Sequence, residues 1–294
     1  MRTLESSGLP SAVRGALWMV GAVLVFCLMA VAVRVLLHTF GTFEILFLRG
    51  FVSLVIVLAI LPWFGVRALR TRLLGVHVAR NLFQFGSQYA WVYAIGMLPL
   101  ATVFAIEFTM PVWAALLAVG ILGERLDRSR VIVLALGLAG ILIILKPGFE
   151  QVPPAALVML AGSFAYAATM ITTKHLAGRD TAFAVLFYMS AIQVPLGLVP
   201  ALPAWVTPGL ADLPWIIAVG ASGLVGHYCL TRALRDADAT LVLPIDFLRL
   251  PLIAVIGFAL YGEPLELSTL LGAAVIFSGT YYSITRESRA PQRP

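Results

Sequence analysis

Long runs of apolar residues, separated by short polar stretches, occupy most of this sequence. Each run is close to the roughly 20 residues that a helix needs to cross the hydrocarbon core of a bilayer. The regular alternation of apolar and polar residues that is typical of membrane-spanning strands is absent from the runs. The pattern therefore predicts an all-α integral membrane protein with ten transmembrane helices, over residues 15–37, 42–64, 74–96, 99–122, 129–146, 154–176, 181–203, 213–234, 239–261 and 268–285.

The composition agrees with a protein that is embedded in lipid. The chain has 294 residues, of which 61% are hydrophobic and 12% are charged, and its mean hydropathy is +0.99. A soluble domain is nearer half apolar with about a quarter of its residues charged, so soluble enzymes and nucleic-acid-binding proteins are excluded. Cys27 and Cys229 lie inside apolar runs, and the sequence has no ATP-binding, zinc-binding or paired-cysteine motif. We therefore expect no cofactor, metal or disulfide.

Lysine and arginine residues are concentrated on one side of the predicted membrane. Fifteen lie on the side of the N-terminus, and only Lys146 lies on the opposite side. Because loops rich in Lys and Arg stay in the cytoplasm, we predict a bacterial-type inner-membrane protein with both termini cytoplasmic. Arg2 and Arg14 precede the first apolar run without a small-residue cleavage site, so this run is expected to remain as a span.

The chain contains an internal repeat. Shifting the sequence by 139 residues superposes Gly123-Glu124 on Gly262-Glu263 and Glu107-Phe108 on Asp246-Phe247. Because each unit has an odd number of spans, the second enters the membrane from the opposite side, which makes the units inverted repeats. This arrangement is typical of carriers that bind substrate near the midplane and open alternately to each side. We interpret the chain as two five-helix units, residues 1–148 and 149–294.

Three charged residues deep in the predicted spans are candidate substrate-binding residues. A charge at the bilayer centre costs about 2.5–3.5 kcal/mol, so Glu107, Asp246 and Arg249 must pair or face a water-filled cavity. Asp246 and Arg249 are three positions apart on one helix face and can form an ion pair. That pair either only fixes helix packing or exchanges with a zwitterionic substrate or a proton, and the sequence leaves both alternatives open.

Prolines interrupt the fourth and ninth spans, which carry these three residues. Pro111, Pro244 and Pro251 each remove a backbone hydrogen bond from their helix. Broken backbone at this depth is tolerated only where it faces protein or water. We therefore expect the fourth and ninth spans to line the cavity.

Other charged residues lie nearer the ends of the apolar runs. Arg34, Glu44 and Arg80 are within about two turns of a helix end, and we expect them to extend to the membrane interface. Arg49 lies deeper. We expect it to pair with an acid on another span.

Aromatic residues in the middle of the spans are candidate walls for the cavity. A buried tyrosine needs a partner for its hydroxyl, and aromatic cages suit cations and flat rings. Core packing is the alternative for each residue, but as a group they favour an organic solute over a bare ion. His227 is a candidate proton relay, and Gln84 and Gln88 add hydrogen-bonding capacity. The aromatic candidates are Tyr89, Trp91, Trp113, Tyr166, Tyr188 and Tyr228.

The stretches from Gly123-Glu124 to Gly148 and from Gly262-Glu263 to Ile284 resemble those of EamA-type carriers of the drug/metabolite transporter superfamily. The run from Pro244 to Pro251 resembles the branch that contains S-adenosylmethionine-type and riboflavin-type carriers. The resemblance covers essentially the whole chain. It implies a central cavity lined by spans 1–4 and 6–9, with spans 5 and 10 at the periphery.

These observations predict a secondary active or facilitative transporter that works by alternating access in the inner membrane. Its expected substrate is a small polar organic metabolite, such as an amino acid or an amino-acid derivative. The alternative is a larger ring-bearing metabolite such as S-adenosylmethionine or a flavin. A membrane-embedded enzyme and a non-transporting receptor are the competing classes. The expected partners are this substrate, a candidate coupling proton and the lipid bilayer, without nucleic acid, and the residues indicate no oligomeric state.

Overall fold

The computed structural model describes residues 10–122, 128–146, 151–176, 179–237 and 239–289, and these residues form helices and no β-strand. The predicted all-helical class is therefore confirmed. Gly123-Glu124 and the unit boundary predicted after residue 148 lie outside the described residues. The α-helices are α1 (Ser11–Leu36), α2 (Thr42–Phe64), α3 (Leu74–Met97), α4 (Leu100–Glu107), α5 (Met110–Leu122), α6 (Arg128–Leu145), α7 (Pro154–Leu176), α8 (Ala182–Ala201), α9 (Leu213–Asp236), α10 (Ala239–Phe247), α11 (Arg249–Tyr261) and α12 (Leu267–Arg289).

Eight segments of the described chain are long and apolar enough to cross a membrane, and Val131–Leu145 is a shorter apolar helix. α3 is as long as its neighbours, with 24 residues. It is less apolar than its neighbours because it carries four polar residues, all of which are buried: His77, Arg80, Asn81 and Gln84. The eight segments are Ser11–Leu36, Thr42–Phe64, Leu100–Leu117, Pro154–Thr173, Ala182–Ala204, Leu213–Asp236, Pro244–Tyr261 and Leu267–Arg286.

The helix breaks predicted from the prolines are confirmed. Two residues separate α4 from α5, and Leu248 alone separates α10 from α11. Pro111 has no N–H to donate to the carbonyl oxygen of Glu107. One residue earlier, the carbonyl oxygen of Ile106 accepts from Thr109 N at 3.0 Å and from Thr109 Oγ1 at 2.7 Å. Ser163 Oγ on α7 also donates to it, over 3.0 Å. Protein groups thus satisfy the carbonyl oxygen of Ile106 at this break, as burial in a membrane requires.

Four helix pairs make the most extensive contacts: α1 with α9, α3 with α7, α2 with α8, and α6 with α12. α4 and α11 lie among them, and their residues Phe104 and Ile253 are fully buried. Large apolar side chains such as Leu17, Leu24 and Leu28 are exposed along α1. An exposed apolar surface of this kind is what a helix in contact with lipid requires.

α6 and α12 cross where both carry glycine. A β-carbon added to Gly140 would lie 2.6 Å from the carbonyl oxygen of Gly272, and one added to Gly272 would lie 2.7 Å from that of Gly140. The backbones could not keep these positions if either residue had a side chain. Small residues therefore allow the close approach of these two helices.

We expect Gly140→Ala to lower the melting temperature of the purified protein by about 5 °C, because overpacking costs about 1–3 kcal/mol. Gly86→Ala in α3 is the matched control, since a β-carbon there would meet nothing within 4 Å. The control should melt at the wild-type temperature or slightly above it. Thermal unfolding in detergent checks this prediction, and an unchanged melting temperature for Gly140→Ala would contradict the close approach.

Side-chain contacts gather the helix ends into two groups. At one end, Arg34 Nη2 lies 2.6 Å from Glu263 Oε1 and donates to the carbonyl oxygen of Leu98 over 2.8 Å. At the other end, Thr181 Oγ1 donates to the carbonyl oxygen of Ala68 over 2.8 Å. We call the end with Arg34 and Glu263 the first face and the end with Ala68 and Thr181 the second face.

The prediction that charged residues extend to the membrane interface is wrong for Glu44 and Arg80, which are buried in the protein, whereas Arg34 lies at the first face. Arg34 forms the ion pair described above. Glu44 is 2% exposed and accepts from Val206 N at 3.2 Å. Arg80 is 7% exposed, and its Nε donates to Thr173 Oγ1 over 2.7 Å. Hydrogen bonds offset the cost of removing these charges from water.

Thr71 and His77 hold Asp180 in the short connection between α7 and α8. Thr71 Oγ1 donates to Asp180 Oδ2 over 2.6 Å, and His77 Nε2 lies 2.7 Å from the same oxygen. The hydrogen bond from Thr71, with a smaller effect from His77, lowers the pKa of Asp180 below its ordinary value of 3.8. The ionised carboxylate therefore ties this connection to α3.

We expect Asp180→Asn to lower the melting temperature at neutral pH by about 3 °C, since the variant loses hydrogen bonds to a charged acceptor. The pKa of Asp180 is depressed in the folded protein, so its stabilisation is complete above about pH 4 and is lost as the pH falls through the lowered pKa. The difference between variant and wild type should therefore shrink at acidic pH. Melting curves at several pH values check this, with Thr71→Val as a weaker variant, and a difference independent of pH would contradict it.

Candidate functional site

A cavity of about 280 Å³ lies beside both helix breaks. Residues of α1, α3, α7, α9 and α12 line it together with residues flanking the breaks. Its lining extends to Leu234 and Ile284, which lie in the last turns of α9 and α12 toward the second face. The helix breaks therefore bring interrupted backbone to a chamber, as predicted for the fourth and ninth spans.

The structure brings Glu107, Asp246 and Arg249 together at this cavity. Arg249 Nη1 lies 3.5 Å from Glu107 Oε1, and Arg249 Nη2 lies 3.4 Å from Asp246 Oδ2. The two acids come from α4 and α10, which end at the breaks, and Arg249 is the first residue of α11. One guanidinium thus bridges two carboxylates, so the trio has a net charge of −1 when all three groups are ionised.

Aromatic rings surround the guanidinium of Arg249. Its Cζ atom lies 5.2 Å from the ring centre of Phe26, 5.3 Å from that of Phe104 and 5.0 Å from that of Phe108. Arg249 is 8% exposed. Cation–π contacts at these distances stabilise a cation that has been removed from water, so the rings and the two carboxylates together hold the charge in place.

Three further predicted residues line the cavity. Trp91 Nε1 donates to Glu107 Oε2 over 2.9 Å, and Tyr166 lies on the α7 side. His227 Nδ1 donates to the carbonyl oxygen of Gly223 over 2.8 Å. Because a carbonyl oxygen only accepts, this bond leaves Nε2 of a neutral ring as an acceptor.

Four predicted residues lie away from the cavity lining. Tyr89 packs on Phe43 with ring centres 4.8 Å apart, and Trp113 Nε1 donates to Thr109 Oγ1 over 3.2 Å. Tyr188 donates its hydroxyl to the carbonyl oxygen of Leu69 over 3.1 Å at the second face. Tyr228 is 56% exposed on the outer side of α9. These four residues lie at similar depths along their helices to the residues that line the cavity. They lie on other faces of those helices, however, and these faces do not border the cavity.

The last helix contributes residues that the sequence reasoning missed. Phe277, Thr280 and Tyr281 of α12 line the cavity, and Phe277 packs on Phe247 with ring centres 4.3 Å apart. The expectation that span 10 is peripheral is therefore wrong. The sequence feature that could have indicated this role of the last helix is the spacing of Ile276, Thr280 and Ile284. They recur every four residues, which places them on one helix face.

Arg49 and Gln84 also line the cavity. The predicted ion pair of Arg49 with an acid is not found, because none of the ion pairs among the described residues includes Arg49. Gln84 Oε1 is buried without a hydrogen-bond partner. Among the described residues, no three His, Cys, Asp or Glu side chains come together as metal ligands.

Several apolar helices of membrane-spanning length around a chamber with charged and aromatic walls define a membrane transport protein. The chain belongs to the EamA-like transporter family, whose model matches residues 13–146 and 153–285. It is a multi-pass membrane transporter of the branch that resembles S-adenosylmethionine and riboflavin carriers, and not an enzyme.

Two relatives and one solved structure resemble this chain over most of its length. The chain is 29% identical to an S-adenosylmethionine uptake transporter from Rickettsia bellii over 85% of this chain and 86% of the relative. It is 30% identical to a riboflavin transporter from Rhizobium johnstonii, over 96% and 95%. A crystal structure with 19% identity superposes with a TM-score of 0.64 over 94% of this chain and 99% of its own. That similarity supports the same fold.

Proposed function

We propose that this protein carries a ring-bearing organic metabolite across the inner membrane by alternating access. The observation that carries the proposal is the chamber in which Arg249 bridges Glu107 and Asp246 between aromatic walls. Charged groups are retained at membrane depth where they meet a substrate or an ion. Trp91, Tyr166 and His227 complete the proposed binding site.

A ring-bearing substrate fits this chamber better than a simple amino acid. Phe26, Phe108, Phe247, Phe277 and Tyr281 offer flat apolar surfaces along the chamber, and aromatic faces pack well against rings and cations. The transporters from Rickettsia bellii and Rhizobium johnstonii are named for S-adenosylmethionine and riboflavin. Both molecules contain ring systems, so the relatives favour the same alternative.

Contacts between equivalent positions support two inverted five-helix repeats with ten spans. Phe108 and Phe247, which are 139 residues apart, pack on each other with ring centres 4.7 Å apart. Gly140 meets Gly272, and the residues equivalent to them, Gly279 and Val133, also meet. When the units are exchanged, the Phe108–Phe247 contact maps onto itself and the other two contacts map onto each other, as a twofold axis between the units requires.

Charge and packing support an inward-open arrangement with the second face in the cytoplasm. Arg67, Arg70, Arg72 and Arg179 border a cleft at the second face, and positive charge marks the cytoplasmic side. The chamber extends toward this face. At the first face, Glu263 binds Arg34 and also accepts from the backbone N–H of Leu100 over 2.7 Å. Alternating access requires this closure to open when the chamber closes toward the cytoplasm.

The test is uptake by proteoliposomes that contain the purified protein, with S-adenosylmethionine, riboflavin and methionine as labelled solutes. We expect uptake of one of the ring-bearing solutes above that of protein-free vesicles, with unlabelled solute as competitor. A proton gradient of either sign shows whether a proton is coupled. The proposal fails if neither ring-bearing solute enters or competes.

A further inference from the structure

We propose that Arg49 and Gln84 form a subsite in the chamber for an amino-acid group, in which Arg49 binds the carboxylate and Gln84 Oε1 accepts from the ammonium, so that the substrate is a zwitterion or cation with a ring and a carboxylate. This inference rests on the proposed transport function and narrows its substrate. The subsite is separate from the trio of Glu107, Asp246 and Arg249, whose charged groups already contact one another.

Arg49 is a cation in α2 that has no acidic partner among the described residues. Its Nε is buried without a hydrogen-bond acceptor, and its guanidinium borders the chamber. The side chain lies against Gly223 of α9, where a β-carbon would be 3.1 Å from Arg49 Nη2. A charge at this depth is costly unless it is compensated. A ligand in the chamber would supply the missing anion.

Gln84 provides an independent indication of a ligand. It is 4% exposed on α3, lines the chamber, and its Oε1 atom has no hydrogen-bond partner. Buried side-chain polar atoms are nearly always hydrogen-bonded, so an unpaired amide oxygen at a cavity wall indicates a donor that binds there. An ammonium group next to a carboxylate is such a donor.

The charges in the chamber favour a carboxylate over a phosphate. The trio has a net charge of −1 and Arg49 has a charge of +1, so the chamber is close to neutral overall. A guanidinium binds a carboxylate through two parallel hydrogen bonds. One carboxylate neutralises Arg49, whereas a phosphate monoester would bring excess negative charge beside Glu107 and Asp246. A cationic group on the same substrate would instead face those two acids favourably.

This chemistry separates the two substrates for which the relatives are named. S-adenosylmethionine combines a carboxylate, an ammonium, a sulfonium and a purine ring, and each group has a complementary feature in the chamber. Riboflavin has a ring but no carboxylate and would leave Arg49 unpaired. We therefore infer that the protein selects S-adenosylmethionine or a similar amino-acid conjugate over a flavin.

The test compares S-adenosylmethionine with its decarboxylated analogue, which keeps the sulfonium, the amine and the purine. Calorimetric titration of the wild-type protein in detergent should give at least about 30-fold weaker binding for the analogue, since a buried charged pair loses its partner. Arg49→Gln should weaken binding of S-adenosylmethionine by a similar factor and change analogue binding by less than about threefold. Arg49→Lys should restore only part of the loss. Arg70→Gln, an exposed second-face substitution, is the matched control.

The outcomes separate this inference from the transport proposal. Equal affinity of the wild-type protein for S-adenosylmethionine and its analogue would overturn the subsite, even if both are transported. Tight binding of riboflavin with no binding of S-adenosylmethionine would overturn it as well, while the carrier function stands. Binding of neither ring-bearing solute would refute the proposed function itself. The analogue comparison needs no variant, so it decides the question even if Arg49→Gln does not fold.

Discussion

Replacing Arg249 with glutamine is expected to reduce substrate uptake by at least about 100-fold and to destabilise the protein. Arg249 contacts Glu107 at 3.5 Å and Asp246 at 3.4 Å, and three aromatic rings enclose its guanidinium. Without it, two carboxylates remain next to each other with no cation between them. Removing one partner of a buried pair costs about 3–5 kcal/mol because the remaining charge is uncompensated.

A second variant separates the loss of function from the loss of stability. Arg249→Gln combined with Glu107→Gln leaves Asp246 as the one charged member of the trio, so the net charge is again −1. We expect this double variant to recover most of the melting temperature but not the uptake, because the substrate still lacks its charged contacts. Uptake in proteoliposomes and thermal unfolding measure the two effects. Wild-type uptake by Arg249→Gln would refute a binding role for the trio.

Glu263→Gln is expected to open the first face and to lower uptake by about tenfold. Glu263 joins three elements, because it binds Arg34 of α1 at 2.6 Å and accepts from Leu100 N, the first residue of α4, at 2.7 Å. A neutral amide keeps the size of the side chain but loses the ion pair. In the proposed alternating-access cycle these contacts exist only while the first face is closed, so we expect their loss to shift the population toward the state that is open at the first face.

Chemical labelling can measure this shift directly. A cysteine introduced at Leu98, beside Arg34, should react with a membrane-impermeant maleimide about tenfold faster when Glu263→Gln is present. The native Cys27 and Cys229 are buried and are replaced by alanine in all samples. Glu266→Gln is the control, because Glu266 lies in the same connection and pairs with Lys146 nearer the surface. Equal labelling rates with and without Glu263→Gln would contradict a closing role for this ion pair.

The sequence by itself determined the helical membrane class, the helix breaks and the charged trio. Each of these three features follows from the residue types in a short stretch of the chain. Apolar runs of bilayer length must form helices because lipid leaves no other way to satisfy the backbone, and a proline removes one hydrogen bond wherever it occurs. A charge at membrane depth requires compensation, which directed attention to Glu107, Asp246 and Arg249 before any contact was known.

Only the tertiary structure decided which side chains meet. His227 and Tyr228 are adjacent in sequence, yet one lines the chamber and the other is exposed, because neighbouring residues on a helix point about 100° apart. The partner of Arg34 is 229 residues away, and the contribution of α12 depends on how that helix packs against α10. Rotation and partner choice of helices arise from the packing of all of them together, which hydropathy along the chain does not encode.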